Sequence, residues 1–186
     1  MDRRSKWLVG SVAAVALFMV AVLTFRLVGL IRPFSVPTGS MNPTLSAGDR
    51  VLMEGFSFLV RKPRRGDIAV FKSDGITSLP AATIHLKRIA GEPGDRVRIS
   101  EGKLYINEKH VALSSSAGEI AYLLPTGMER LATMTDVTVP DGQYYVLGDN
   151  AANSSDSRFW GFVSANNIMG RITFRYWPPQ RAGEVK

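Results

Sequence analysis

The stretch from Trp7 to Phe25, WLVGSVAAVALFMVAVLTF, runs for 19 residues without a charge. At ~1.5 Å of rise per residue, a helix of that length approaches the ~30 Å hydrocarbon core of a bilayer. Arg3, Arg4 and Lys6 precede the run, offset by Asp2, and Arg26 and Arg32 follow it. The basic bias on the N-terminal side places residues 1–6 in the cytoplasm and the bulk of the chain outside it. A cleaved signal peptide is the competing reading. Against it, the run exceeds a usual apolar core of such a peptide, and no clear A-x-A site follows before Arg26. The sequence therefore predicts a single uncleaved span over 7–25, in the plasma membrane.

After Pro33 the pattern becomes β-like. Four Gly-Asp pairs punctuate the chain at 48–49, 66–67, 94–95 and 148–149. The first three each lead into an apolar or alternating run, RVLM, IAVF and RVRI, and read as turn-then-strand units. Further strands are expected over 82–90, 103–106, 143–147 and 168–177. No long amphipathic helix pattern appears beyond residue 33. The expected fold class is mainly β: a membrane-anchored β domain with one N-terminal transmembrane helix and a small inserted β lobe, its sheets closed or packed together. The catalytic part is expected over 33–106 and 141–177, the lobe over 107–140, where Ser and Thr are frequent, and a C-terminal tail over 178–186.

Composition removes several chemistries. The chain has no Cys, so thiolate metal sites, disulfides, a Cys nucleophile and a lipidated Cys are excluded. Net charge is +7. The one basic cluster, Arg61, Lys62, Arg64 and Arg65, has no interleaved aromatics, which argues against a nucleic-acid partner. No H-E-x-x-H, G-x-S-x-G or Walker loop is present. No metal or cofactor is expected. Serine is the leading nucleophile, and it needs a base. Only His85 and His110 are available as histidines. Lys87 is the other candidate, on the strand-like TIHLKRI stretch Thr83–Ile89, where His85 and Lys87 share one face and Ile84 and Leu86 the other. That strand alone equally allows Lys87 to be a solvated side chain.

The segment PTGSMNPTL, Pro37 to Leu45, holds Ser40 between Gly39 and Met41 with a proline on each flank. Neither a helix nor a central strand tolerates that spacing, so the backbone must follow a fixed turn-like path. PTGSMNPTL resembles the serine block of the type I signal peptidases. HLKRIAGEPGD, His85 to Asp95, is similar to their lysine block. RRGDIAVFK, Arg64 to Lys72, resembles the block between, and GDNAANSSDSRFWGFV, Gly148 to Val163, the last. The four stand in the family's order behind an N-terminal span.

The resemblance implies a serine endopeptidase that removes signal peptides from exported preproteins, cutting after A-x-A. It implies Ser40 as nucleophile and Lys87 as general base, with the Ser154 hydroxyl orienting the amine. The oxyanion would be held by the Ser40 N–H and the Thr38 hydroxyl. Asp149, Asp156 and Arg158 match charged positions read as a supporting salt-bridge shell. Phe34, Val36, Met41, Leu45, Val51, Val70, His85 and Leu86 match the substrate pockets. Ala151-Ala152 departs from the Arg-Asp pair that many members carry. Three other readings stay open: a peptidase of the same family dedicated to one conjugation or pilus substrate, a Ser-His variant, and a non-enzymatic membrane-tethered β module.

Overall fold

The structure, a computed structural model, describes residues 3–27, 30–124, 127–128 and 132–185, with the backbone alone for 3–6, 8 and 25–27. Residues 1–2 of the expected cytoplasmic segment, residues 125, 126 and 129–131 of the expected lobe, and residue 186 of the tail lie outside the described residues.

Helix α1 covers Arg3–Leu27. Among the described residues the strands are β1 Ile31–Ser35, β2 Arg50–Glu54, β3 Ile68–Lys72, β4 Ile84–Gly91, β5 Arg96–Ser100, β6 Lys103–Ile106, β7 Lys109–His110, β8 Ser114–Ser115, β9 Gly118–Glu119, β10 Asp136–Thr138, β11 Gln143–Leu147, β12 Val163–Ser164, β13 Ile168–Trp177 and β14 Gly183–Glu184. A four-residue helix, α2 (Ser157–Trp160), follows β11. The mainly β reading is correct.

The main sheet has the order β1-β2-β13-β3-β4-β11-β12, with β14 added on β13. Its strands are apolar on both faces because both faces are covered. On β3, Ile68 and Val70 join a core with Met41 and Leu45, while Ala69 and Phe71 join another with Ile89 and Tyr144. On β11, Tyr145 and Leu147 face a third core shared with Val97 and Leu104 of a second sheet. That second sheet has the order β10-β5-β6-β7. Strands β5 and β6, expected in the catalytic part, therefore belong with the lobe. Their inward residues cover the outer face of β11, which alternation along a local run does not disclose. The tail is also tied in, since β14 pairs with β13.

The first three Gly-Asp pairs build one turn three times. Gly48, Gly66 and Gly94 have φ of 87°, 92° and 86°, a region open to glycine and strained for other residues. The Asp that follows accepts a backbone N–H three residues back, from Ser46 (2.9 Å), Arg64 (2.9 Å) and Glu92 (2.8 Å). Each Asp then binds arginine: Asp49 with Arg181 (2.5 Å), Asp67 with Arg61 (2.7 Å) and Asp95 with Arg65 (2.6 Å). Half of the basic cluster is thus engaged in holding turns.

Helix α1 stands apart from this body. Trp7, Val12, Leu17 and Phe18 are exposed. Among the described residues no helix is long and apolar enough to cross a membrane. The expected span over 7–25 lies within helix α1.

Candidate active site

The two prolines and Gly39 of PTGSMNPTL shape a short 3-10 turn, Gly39–Met41, entered from extended Thr38. Met41 and Leu45 sink into the core at 1% and 0% exposure and pin the turn from below. From above, the Asn150 N–H donates to the Ser40 carbonyl (3.1 Å) and the Asn150 side-chain amide to the Gly39 carbonyl (3.0 Å). Ser40 is left partly exposed at the surface of a fixed support.

Lys87 reaches this turn from β4. The β3–β4 register pairs it with Ala69, whose small side chain leaves room beside the strand. Lys87 is only 6% exposed, so the solvated-lysine reading falls. Its Nζ donates to Ser40 Oγ at 2.8 Å and to the Leu86 carbonyl at 3.2 Å. Burial pushes its pKa below the ordinary lysine value. Asp156 and Asp149 pull it back up, and the Arg158 guanidinium helps to lower it. The Thr38 hydroxyl donates to Ser40 Oγ at 3.3 Å.

Neither histidine is placed as the base of Ser40. His85 Nε2 is hydrogen-bonded to Thr83 Oγ1 at 2.8 Å and its ring stacks on Phe71. His110 Nε2 pairs with Glu119 at 2.8 Å. The Ser-His variant is not what this geometry forms.

Ser154 is 8% exposed, and its Oγ has no hydrogen-bond partner. The expected bond from this hydroxyl to the Lys87 amine is absent. Ser154 is nonetheless close to Ser40, through Gly148. A Cβ on Gly148 would overlap Ser154 Oγ and sit 2.6 Å from the Ser40 carbonyl oxygen.

The expected salt-bridge shell divides in two. Asp156 and Arg158, both 0% exposed, pair with each other at 2.8 Å, and Asp156 also accepts the Gly148 N–H. Asp149 binds Arg88 through both carboxylate oxygens, at 2.8 and 2.7 Å, and takes the Thr44 hydroxyl at 2.5 Å. Arg88 was missed by the sequence reading. The signal was the Lys-Arg dipeptide: on a strand with one buried cation, its neighbour points the other way and needs its own buried carboxylate.

A cavity of about 310 Å³ opens beside the pair, lined by Phe34, Val36, Met41, Val70, His85 and Leu86 among others. Six of the eight expected pocket residues are therefore together. Leu45 and Val51, both 0% exposed, belong instead to the core behind the wall. Ile84 and Pro37 line the cavity and were not anticipated.

Comparison with known proteins bears on the whole of this arrangement. A family model described as signal peptidase, peptidase S26, matches residues 6–177. "Probable signal peptidase I-2" of Synechocystis sp. is 41% identical over 149 residues, covering 80% of this chain and 64% of that protein. "Probable thylakoidal processing peptidase 2, chloroplastic" of Arabidopsis thaliana is 40% identical over 159 residues, covering 84% and 41%. Signal peptidase I of Leptolyngbya laminosa is 36% identical over 153 residues, covering 81% and 70%. The chain thus spans less than two thirds of the length of the first two relatives. Since the matched segment takes in the Ser40 turn, the Lys87 strand and the Gly148–Val163 loop alike, the chain belongs to the signal peptidase family, peptidase S26.

Proposed function

We propose that the protein is a serine endopeptidase that removes signal peptides from exported preproteins, with Ser40 as nucleophile and Lys87 as general base. The observation that carries this is the 2.8 Å approach of a 6%-exposed lysine amine to a serine hydroxyl. A neutral Lys87 amine takes the Ser40 Oγ proton as Oγ bonds to the scissile carbonyl carbon. The oxyanion is met by the Ser40 N–H and the Thr38 hydroxyl. The ammonium then gives its proton to the leaving amine as the C–N bond breaks. Water repeats the sequence on the ester, returning the proton to Ser40 and releasing the signal peptide.

The substrate lies extended between two free strand edges. β1 pairs with β2 on one side, and β11 pairs with β4 only over Arg88–Gly91, leaving Ile84–Lys87 open on that edge. An added strand points alternate side chains one way, so the −1 and −3 residues share the apolar cavity. Walls from Phe34, Val36 and Leu86 favour small side chains, hence cleavage after A-x-A. Helix α1 attaches the domain to the membrane with its N-terminus cytoplasmic. This reading is supported by the uncharged run over 7–25, the basic residues before it, and the exposed apolar side chains of α1.

Purified protein in detergent micelles is expected to cut an A-x-A preprotein, and Ser40→Ala to lose the activity while keeping the wild-type circular dichroism. Cleavage by Ser40→Ala above a few per cent of wild type removes Ser40 as nucleophile. Confinement of wild-type activity to one substrate lacking A-x-A favours the dedicated-substrate peptidase instead.

A further inference from the structure

The stretch Arg175–Arg181, RYWPPQR, carries two arginines that the mechanism above does not use. Resting on the endopeptidase reading, with Ser40 as nucleophile, we propose that Arg175 and Arg181 are positioning residues of the reaction: through them the C-terminal segment clamps the loop that carries Ser40 and sets its approach to Lys87.

Ser40 stands on a closed loop. The Val36 N–H donates to the Asp49 carbonyl and the Gly48 N–H to the Val36 carbonyl, both at 2.8 Å, and these bonds join the two ends of the loop. Asp49, 0% exposed, lies at that junction. Its carboxylate accepts from Arg181 Nη2 at 2.5 Å and from Arg175 Nη1 at 3.4 Å. The same two side chains reach further along the loop. Arg175 Nη1 donates to the Thr44 carbonyl at 2.9 Å, and Arg181 Nη1 to Ser46 Oγ at 3.0 Å. Arg175 Nε donates to the Arg181 carbonyl at 2.6 Å, which ties the two arms of the clamp together. A chain reversal presents them side by side. Pro178 and Pro179 have no N–H to continue β13, which ends at Trp177. A short 3-10 turn, Pro179–Arg181, follows, and β14 returns along β13 with Gly183 opposite Arg175.

The hold is carried to the nucleophile by two bonds. The Leu45 N–H donates to the carbonyl of Met41, the residue after Ser40, at 2.9 Å. The Thr44 hydroxyl donates to Asp149 at 2.5 Å, so Thr44 is fixed by Arg175 at its carbonyl and by Asp149 at its side chain. Lys87 meets Ser40 from β4, another part of the sheet, and the 2.8 Å approach therefore depends on where the loop is held. A misplacement of about 1 Å at a reacting atom costs up to ~10²-fold in rate. The charges that act on the Lys87 amine are Asp156, Asp149 and Arg158, and neither clamp arginine is among them. The clamp thus acts on geometry and leaves the basicity of Lys87 alone.

The test uses the full chain in micelles and a soluble A-x-A peptide, with kcat taken per folded molecule below the melting transition. The Arg181 side chain is 41% exposed, so Arg181→Ala opens no hole in a core and is expected to fold. It is expected to lower kcat about tenfold with KM within about twofold of wild type. The midpoint of its kcat–pH profile is expected to stay at the wild-type value. Arg181→Lys keeps the charge but has no second arm to span Asp49 and Ser46, and its kcat is expected to fall between the two. Ser46→Ala removes a single bond of the clamp and is expected to lower kcat about threefold; it decides alone if Arg181→Ala does not fold. If the folded variants keep the wild-type kcat, whatever their melting temperatures, the arginines only stabilise the fold and the proposal is overturned. A shifted pH midpoint would put the effect on Lys87 rather than on the loop, and overturns it as well. If wild type cuts no A-x-A peptide, the endopeptidase reading itself fails, and the proposal with it.

Discussion

Lys87 is held under opposed influences. Burial favours the neutral amine that the reaction needs, while Asp156 and Asp149 favour the ammonium. Because burial dominates, the folded pKa lies below the ~10.4 of a free lysine, and kcat/KM is expected to rise with pH through a midpoint lower than that. A rate–pH profile still climbing at pH 10 with no earlier inflection would contradict this. The same shift enters stability. Between the folded and the unfolded pKa the unfolded chain binds the extra proton, so the lysine contributes an increase in stability as pH rises through that window. Lys87→Met is expected to be inactive, to keep a melting temperature at pH 7 at least as high as wild type, and to lose that part of the pH slope. A fall of several degrees at pH 7 would mean that the amine's bonds to Ser40 and the Leu86 carbonyl outweigh its desolvation. Thr38 acts on the other side of Ser40. Thr38→Val is expected to lower kcat by ~10²–10³ with little change in KM, the usual loss for one oxyanion donor. An unchanged kcat would remove Thr38 from that role.

The local devices that hold these residues differ in how openly the sequence states them. The Gly-Asp turns are legible because a glycine with positive φ and an Asp side chain act within four residues. So is the Ser40 turn, whose prolines are local constraints. Leu45 and Val51 were assigned to the pocket by their match to a family pattern, yet both are core. For Val51, which side of β2 faces a cavity depends on the partner strand β13, far away in the chain. The Arg88–Asp149 pair joins residues 61 positions apart and has no local signature. Gly148 combines both kinds of information. It looks like a fourth turn glycine, but its φ is not among the positive ones, and it is needed instead for space. Gly148→Ala is expected to cost ~1–3 kcal/mol through overpacking and to lower kcat sharply by moving Ser40 or Ser154. Chemical denaturation and single-turnover kinetics measure the two effects. Wild-type stability with wild-type kcat would mean that the backbone at Gly148 yields freely.

The β body and α1 are built to different rules, and this separates what holds the site from the helix proposed to hold the protein at the membrane. Among the described residues, the buried members of the three apolar cores that fix Ser40, Lys87 and the loop after Gly148 all lie from Val36 onward, with Phe34 packed against one of them. The described side chains of helix α1 add none, and its described apolar side chains are exposed. Beyond the helix, the Leu30 carbonyl accepts the Gly55 N–H at 2.8 Å. The sequence showed this division plainly, as an uncharged run followed by alternation. It could not show that the alternating part folds as two sheets back to back, because the contacts of β5 and β6 with β11 are long-range. A chain shortened to begin at Leu30 is therefore expected to fold with a melting temperature within a few degrees of the full protein. It should cleave short soluble A-x-A peptides at a similar rate. What it should lose is sedimentation with phospholipid vesicles, and with it the rate advantage on preproteins embedded in those vesicles. Vesicle binding equal to that of the full chain would place the membrane contact on the β body rather than on α1. Loss of peptide cleavage with the fold intact would show that α1 shapes the site itself through β1, whose residues from Phe34 onward wall the apolar cavity.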